Sequence, residues 1–477
     1  MRTKITVLGA GPGGYVAAIR AAQLGAEVTV IEADNVGGTC LNHGCIPSKI
    51  MITTAEMLEK FHRAAEFGLV VEGGVRPDMQ RLMARKNTVI KSQIKGILNL
   101  FKHHRIQFIK GSGYIKGPGL VAVKQHEGED LEVPWDKLIL ATGTTPFEIP
   151  AFPFDGHKIL SSDHALSLEK VPKSIMIVGG GVIGCEFAFI LSALGAKVTV
   201  VEALSRMLPL PSVDEACSKV LQREMKKRKI KFIVNRTVDA FEDDGEKLRV
   251  TIGPSPFLEN PSEKDKKLMT AEVDQMLVCI GRKTNISDIG LETIGVKPDE
   301  KGWIVANERM ETGVVGVYAI GDLLGPSKIM LAHVASTEAM VAAENAMGGS
   351  RTMDYTVVPG AIFTTPEVAN VGLSEVQARE QGHNVRADSV LFRTLGKAQV
   401  IGEIAGEARI ISDVDSGKIL GVHIVGPHAT DLIAEAALAM RMGGSVKNLA
   451  ETIHAHPTLA EIMLEVSFKA LDRSLHG

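Results

Sequence analysis

Two cysteines stand five residues apart in the stretch Gly37-Gly38-Thr39-Cys40-Leu41-Asn42-His43-Gly44-Cys45-Ile46-Pro47-Ser48-Lys49. Their spacing suits a small disulfide ring at a helix start, where the helix amides and Lys49 stabilise a thiolate. That is the pattern of a redox-active pair. A zinc site needs about four Cys or His ligands, and no second cysteine pair is available to complete one. A purely structural disulfide does not suit a chain with five cysteines and no secretory character. A second suggestive group is His454-Ala455-His456-Pro457-Thr458-Leu459-Ala460-Glu461 near the carboxyl end. Glu461, a turn into a helix begun by Thr458, is placed to hold one ring nitrogen of His456 and fix its tautomer, as a general base requires. Spacing alone equally allows a structural histidine before proline. His454, His103 and His104 read as structural or solvated.

The elements around the cysteines are those of a dinucleotide site. Ile5 to Leu8 reads as a buried strand, Gly9-Ala10-Gly11-Pro12-Gly13-Gly14 as its turn into a helix, and Val28 to Ile31 as the next strand, ending in Glu32. In this context Gly9 makes the turn, Gly11 admits a pyrophosphate to the backbone, Gly14 lets helix and strand pack, and Glu32 takes ribose hydroxyls. The pattern recurs from Ile175, with Gly179-Gly180-Gly181-Val182-Ile183-Gly184 as the turn and Glu202 at the second strand end. From last glycine to acid is 18 positions in both copies. Two dinucleotide sites follow. Glu202 favours NAD over NADP because a carboxylate repels a 2′-phosphate, although Arg206 stands close by.

Between and after the repeats lie Ala141-Thr142-Gly143 and Gly281-Arg282 at strand ends, a strand from Val314 stopping at Gly321-Asp322, and a helix over Ala332 to Met347. Asp322 is placed to bond a ribityl chain or simply to form a turn. The amino end of the helix suits negative charge on a reduced flavin. Beyond Ser350 the pattern changes to alternating strands followed by helices, with no nucleotide motif, which suits an α+β assembly module.

A chain of 477 residues holds about three or four domains, and a net charge of −3 argues against nucleic acid or anionic membrane as main partner. The apolar amino-terminal run and Ile175 to Val201 imitate a signal peptide and a membrane span, yet their glycines and charges fit buried α/β units better. The expectation is a cytoplasmic protein with no metal site. Its fold is α/β, with two Rossmann-like dinucleotide-binding domains and a carboxyl-terminal α+β dimerisation domain. The division expected is residues 1–147, a dinucleotide-binding unit with the redox pair; 148–275, a second dinucleotide-binding unit; 276–348, a central part completing the first site; and 349–477, the assembly module.

These motifs, with Tyr318-Ala319-Ile320-Gly321-Asp322, Phe363-Thr364-Thr365-Pro366-Glu367-Val368 and His456-Pro457-Thr458, resemble the pyridine nucleotide-disulfide oxidoreductases over nearly the whole chain. The resemblance implies FAD in the first unit, NAD in the second and a homodimer. It implies that Cys40 meets the substrate and Cys45 the flavin, that Lys49 and Glu186 lie near the flavin, and that His456 with Glu461 serves the disulfide of the other subunit. The cofactor contacts it implies are Gly9, Gly11, Gly14, Glu32, Gly38, Thr39, Lys49, Thr142, Gly143, Gly179, Gly181, Val182, Gly184, Glu202, Gly281, Arg282, Gly321, Asp322, Leu331, Ala332 and His333. The activity implied is oxidation of dihydrolipoamide on lipoyl-bearing carrier proteins of 2-oxoacid dehydrogenase or glycine cleavage complexes, with reduction of NAD+. Leu41, Ile46 and Ser48 separate it from the glutathione-reducing branch, where Val, Val and Lys are usual. His43 stands where the family commonly has valine, Ala339 where glycine is common, and Val334 where lysine is frequent. The alternatives are a related NAD(P)H-dependent disulfide reductase and a flavoprotein kept for docking or redox sensing.

Overall fold

The computed structural model describes residues 2–476. The chain forms two compact units, the first built from the segment up to Ile50 with Gln80–Phe147 and Gly281–Tyr355, the second from Met51–Met79, Glu148–Ile280 and the segment from Thr356 onward.

In the first unit one sheet runs in the order Val317–Ala319, Lys137–Leu140, Lys4–Leu8, Glu27–Glu32, Gln107–Gly117, Leu120–Gln125, Leu131–Pro134. Its first five strands are parallel neighbours, with Val7 opposite both Val30 and Ile139, and the last three form an antiparallel meander. Strands such as Ile5–Leu8 and Leu138–Leu140 are buried throughout because parallel sheets are covered on both faces. One cover is the helix Pro12–Gln23, which packs on the helix Ala332–Ala346. Small buried side chains face this region: Ala17, Ala18 and Ala21 from one helix, Ala335, Ala339 and Ala342 from the other. Small residues let backbones approach closely, so Ala339 keeps the role of the glycine that the family resemblance leads one to expect.

The second unit repeats the plan. Lys231–Ile233, Lys197–Val201, Ser174–Val178, Gln275–Val278 and Ile159–Leu160 form a parallel sheet, and Arg236–Asp243, Leu248–Pro254 and Met269–Val273 a separate antiparallel meander. Its carboxyl-terminal part is a five-stranded antiparallel sheet with Ile419–Gly426, buried at every position, in the middle. Val422, Ile424, Phe392, Ile433, Ile462 and Val466 form one core there. Among the described residues no helix is long and apolar enough to cross a membrane.

Four elements are not read directly from the sequence pattern. The strand Gln107–Gly117 is long because its first half pairs with Glu27–Glu32 and its second with the meander. Arg236–Asp243 and Met269–Val273 carry polar side chains on exposed faces and give no apolar run to read. The last helix begins at Glu461, not Thr458. The amide of Thr458 donates to Glu461 Oε2 at 2.9 Å and its hydroxyl to Ala455 O at 2.7 Å, so residues 458–460 form a turn closed by the helix's first carboxylate.

One buried histidine ties parts of the second unit. His423 is 0 % exposed; its Nε2 donates to Leu373 O at 3.0 Å, and its Nδ1 accepts from the Asp214 amide at 3.4 Å. Asp214 caps the helix Glu215–Lys227 through the amide of Ala216. Burial lowers the His423 pKa, with Arg409 acting the same way against the Leu373 carbonyl and Asp214. The unfolded chain therefore binds the proton more readily, so this contribution to stability is complete above about pH 6.5 and is lost as the pH falls below it. His423→Ala is expected to cost about 3 kcal/mol through the cavity and two stranded backbone groups. In thermal unfolding at pH 5 and 7.5, the variant should melt earlier and show a smaller difference between the two pH values.

Candidate functional site

The two glycine turns are the same object built twice. Gly9 and Gly179 sit at φ +100° and +104°, and a Cβ on either would come within 2.3 Å of a carbonyl, that of Ala141 or Cys279. A Cβ on Gly14 or Gly184 would lie 1.9 Å from the carbonyl of Gly9 or Gly179. These four positions admit only glycine. Gly11 and Gly181 cap their helices without any side-chain bond, and nothing lies within 4 Å of a Cβ placed on Gly181. With Val182 as the first helical residue, that turn leaves amide groups and open space at a helix amino end, the arrangement that receives a pyrophosphate.

The acids at the strand ends match as well. Glu32 accepts the amides of Ala10 at 2.6 Å and Asp34 at 2.7 Å, and Glu202 those of Gly180 at 2.5 Å and Leu204 at 2.8 Å. Each partner is displaced by 170 positions between the copies. Burial raises the Glu32 pKa, and the amide bonds oppose it. Each carboxylate keeps lone pairs for ribose hydroxyls. Arg206 is spent elsewhere: its guanidinium donates to the carbonyls of Leu208, Leu210 and Val213 and to Ser218 Oγ. It folds its own loop, so Glu202 faces no competing phosphate-binding role there.

The cysteines bracket a break between two helices. Gly37, at φ +96°, starts the short helix Gly38–His43; Gly44 interrupts it, and Cys45 opens the helix Cys45–His62. Pro47 falls in the first turn, where its missing N–H has no helical partner to lose. A Cβ on Gly38 would be 2.6 Å from Gly11 Cα, so the redox stretch lies directly against the first glycine turn. Both cysteines are thiols here. Cys40 shares a hydrogen bond with Cys45; that bond, then burial, then the charge of Cys45 push its pKa far up, while Lys49 pulls it down. Cys45 opens its helix, and the shared bond keeps the proton of Cys40 in place. Lys49 stands about one turn further along the same helix. Tyr15 faces the pair closely enough for the Cys40 charge to help raise its pKa, after burial.

Short polar bonds hold this stretch. Asn42 Nδ2 donates to Gly38 O at 3.0 Å and Val36 O at 3.2 Å, Ser48 Oγ to Cys45 O at 3.2 Å, and Thr39 Oγ1 to Thr144 O at 3.4 Å. His43 turns to Asp34, Nε2 to Oδ2 at 3.1 Å. Thr144 is also a hub: Arg282 Nε donates to its hydroxyl and Nη2 to its carbonyl, both at 2.7 Å, and the hydroxyl donates to Asp322 Oδ2 at 3.1 Å. Arg282, at a strand end after Gly281, thus orders a cofactor candidate through Thr144. Beside it the buried hydroxyl of Thr142 has no partner, and Gly143 lies at φ +66°. An orphaned buried hydroxyl next to a glycine turn suits a ligand that supplies the missing bond. The helix Ala332–Ala346 starts after Leu331 with no side-chain cap, so the amides at Ala332 and His333 are at its open end.

Glu338 was not anticipated. It is 1 % exposed, accepts the amide of Gly321 at 2.7 Å and the hydroxyl of Tyr355 at 2.6 Å, and burial raises its pKa to about 7. It holds the turn that presents Asp322. Only its place on an otherwise apolar helix face could have signalled it.

In the second unit His456 Nδ1 lies 2.8 Å from Glu461 Oε1, and the ring is largely exposed. Burial alone would raise the Glu461 pKa; the His456 bond and the Thr458 amide outweigh it and leave it lowered. The carboxylate therefore holds Nδ1–H and leaves Nε2 turned outward as an acceptor. His454 has both ring nitrogens engaged, by Thr452 O and Glu435, and is unavailable for chemistry. Glu186, 7 % exposed, accepts the amide of Phe363 at 3.0 Å. Among the described residues no cluster suits a metal ion.

Residues 3–339 match the family model for pyridine nucleotide-disulphide oxidoreductases, and residues 358–467 that for the dimerisation domain of the same family. The chain is 41% identical over 472 residues, 98% of this chain and 97% of the relative, to dihydrolipoyl dehydrogenase of Chlamydia muridarum. It is 40% identical over 484 residues, 99% and 98% of the two chains, to that of Bacillus subtilis. Among solved structures, LpdA from Mycobacterium tuberculosis superposes with a TM-score of 0.88 at 27% identity, covering 98% of this chain and 99% of that one. The HOCl-induced flavoprotein disulfide reductase RclA from Escherichia coli shares the fold, with a TM-score of 0.83 at 24% identity, covering 97% and 99%.

The glycine geometry makes the two turns separable by mutation. Gly14→Ala should yield protein that retains little flavin after purification. Gly184→Ala should retain the yellow colour yet lose binding of NADH, read by fluorescence titration.

Proposed function

The chain belongs to the pyridine nucleotide-disulphide oxidoreductase family, and we propose that it oxidises dihydrolipoamide borne on lipoyl carrier proteins to lipoamide, reducing NAD+ to NADH. It is a flavin and pyridine-nucleotide enzyme whose carboxyl-terminal segment is a dimerisation domain. One observation carries the reading most: the dithiol stretch packs against the first glycine turn, Gly38 on Gly11, so a dinucleotide held there has the redox pair beside it. The names of the relatives at about 40% identity support dihydrolipoamide as substrate. Residues 1–147 and 276–348 would together hold FAD, residues 148–275 NAD, and residues 349–477 the interface of a cytoplasmic homodimer.

The residues take the following parts. Gly9, Gly11, Gly14, Glu32, Gly38, Thr39, Thr142, Gly143, Asp322 and the amide end at Leu331, Ala332 and His333 hold FAD, with Arg282, Gly281 and Gly321 shaping its cradle. Gly179, Gly181, Val182, Gly184 and Glu202 hold NAD. His456 of the partner subunit, its tautomer set by the carboxylate, takes the proton of a dihydrolipoyl thiol. The resulting thiolate attacks Cys40 Sγ of the oxidised pair, forming a mixed disulfide and releasing Cys45 as thiolate. The second substrate thiol, also deprotonated, displaces Cys40 and closes lipoamide, leaving both enzyme sulfurs reduced. What bound FAD supplies is a two-electron relay from the reduced pair to NAD+. Lys49 and Glu186 order the surroundings of that relay.

The test is anaerobic turnover of the purified yellow protein with dihydrolipoamide or reduced glutathione, each with NAD+ or NADP+. Rapid turnover is expected with dihydrolipoamide and NAD+ alone; preference for glutathione or NADP+ would refute the substrate assignment. Cys45→Ser should abolish turnover while retaining flavin. Glu461→Gln should lower kcat about 100-fold with KM little changed, the usual scale for losing an oriented base.

A further inference from the structure

From Met79 to His126 the chain contains no Asp or Glu and ten Lys or Arg, although in the whole protein 56 acids outnumber 53 Lys and Arg. The helix Met79–His103 occupies the first half of this stretch. At 100° per residue, Arg85, Lys91, Lys95 and Lys102 fall within an arc of about 120° and span about 26 Å along the axis. All four are exposed, and the residues between them on that face, Thr88, Ser92 and Asn99, are exposed neutral polar groups. Leu82, Lys86 and Phe101, on the opposite side, are buried. No Asp or Glu stands three or four residues from any of these four, so the helix places no acid beside them. The stripe therefore projects a positive field that reaches about 8 Å at physiological salt and attracts an anionic body.

We propose that this stripe is the docking face for an acidic surface on the protein that carries the dithiol substrate, steering it to the disulfide. The inference rests on the proposed function. Two features favour a protein over other polyanions. The stripe belongs to the same compact unit as Cys40 and Cys45. Its inter-cation positions are short polar groups, whereas a membrane-lying helix inserts large apolar ones between its cations. The chain as a whole is acidic, which opposes general binding of nucleic acid.

The experiment compares two substrates of the holoenzyme: free dihydrolipoamide, which is uncharged, and a reduced lipoyl domain of net negative charge. The combined variant Arg85→Gln, Lys91→Gln, Lys95→Gln, Lys102→Gln is measured beside the wild type from low to physiological ionic strength. Expected is a fall of about tenfold in kcat/KM for the lipoyl domain at low salt, with a flatter salt dependence. Turnover of free dihydrolipoamide should stay within about twofold, which also shows that the variant is folded and loaded with flavin. An unchanged kcat/KM for the lipoyl domain, or equal losses with both substrates, overturns the docking face. So does stripe-dependent sedimentation with anionic vesicles or duplex DNA in the absence of any effect on the lipoyl domain. Failure of the wild type to oxidise free dihydrolipoamide refutes the function, and the docking face falls with it.

Discussion

A carboxylate that accepts the amide at the crest of a glycine turn is the interaction on which both nucleotide sites depend. Glu32 holds Ala10, and Glu202 holds Gly180, each through a bond of the charge-assisted kind that contributes about 1.5–3 kcal/mol. The turn needs that hold because its first glycine is in the left-handed region and its last is pressed on the carbonyl of the first. With the crest fixed, the helix that follows starts with unpartnered amides in a constant place. In the first unit the same turn also seats Gly38, and through it the start of the dithiol stretch. Nucleotide binding and redox chemistry thus share one piece of backbone.

The two reactive pairs achieve their asymmetry by different means. In the thiol pair, a shared hydrogen bond holds the proton on Cys40, while Cys45 stands at the start of a helix. In the histidine pair, a helix-opening carboxylate accepts both a backbone amide and Nδ1–H, which fixes the ring without burying it. Both devices are local: each spans six residues, so neither depends on distant packing for its geometry. Distant packing decides instead what surrounds them. Within the first unit Thr144 joins Arg282 to Asp322, and the adjacent Gly321 is held by Glu338, a carboxyl that also accepts from Tyr355 and whose pKa burial raises to about 7.

The sequence by itself determined what repeats or closes locally. The 170-residue displacement of glycine turn and acid, the cysteine spacing and the histidine with its carboxylate were legible because each is set by steric rules or side-chain reach over short spans. Tertiary structure decided the rest. It bound Arg206 to its own loop carbonyls and so removed a phosphate candidate that proximity in sequence had suggested. It gave Arg282 to Thr144, buried Glu338 behind Gly321, and started the last helix at Glu461 once the Thr458 amide had found that carboxylate. It also set Arg85, Lys91, Lys95 and Lys102 of one long helix on a single exposed arc, which their order along the chain conceals. Partners more than a hundred residues apart, such as Thr144 and Arg282, leave no periodicity to read, because the backbone brings them together only when the sheets have formed.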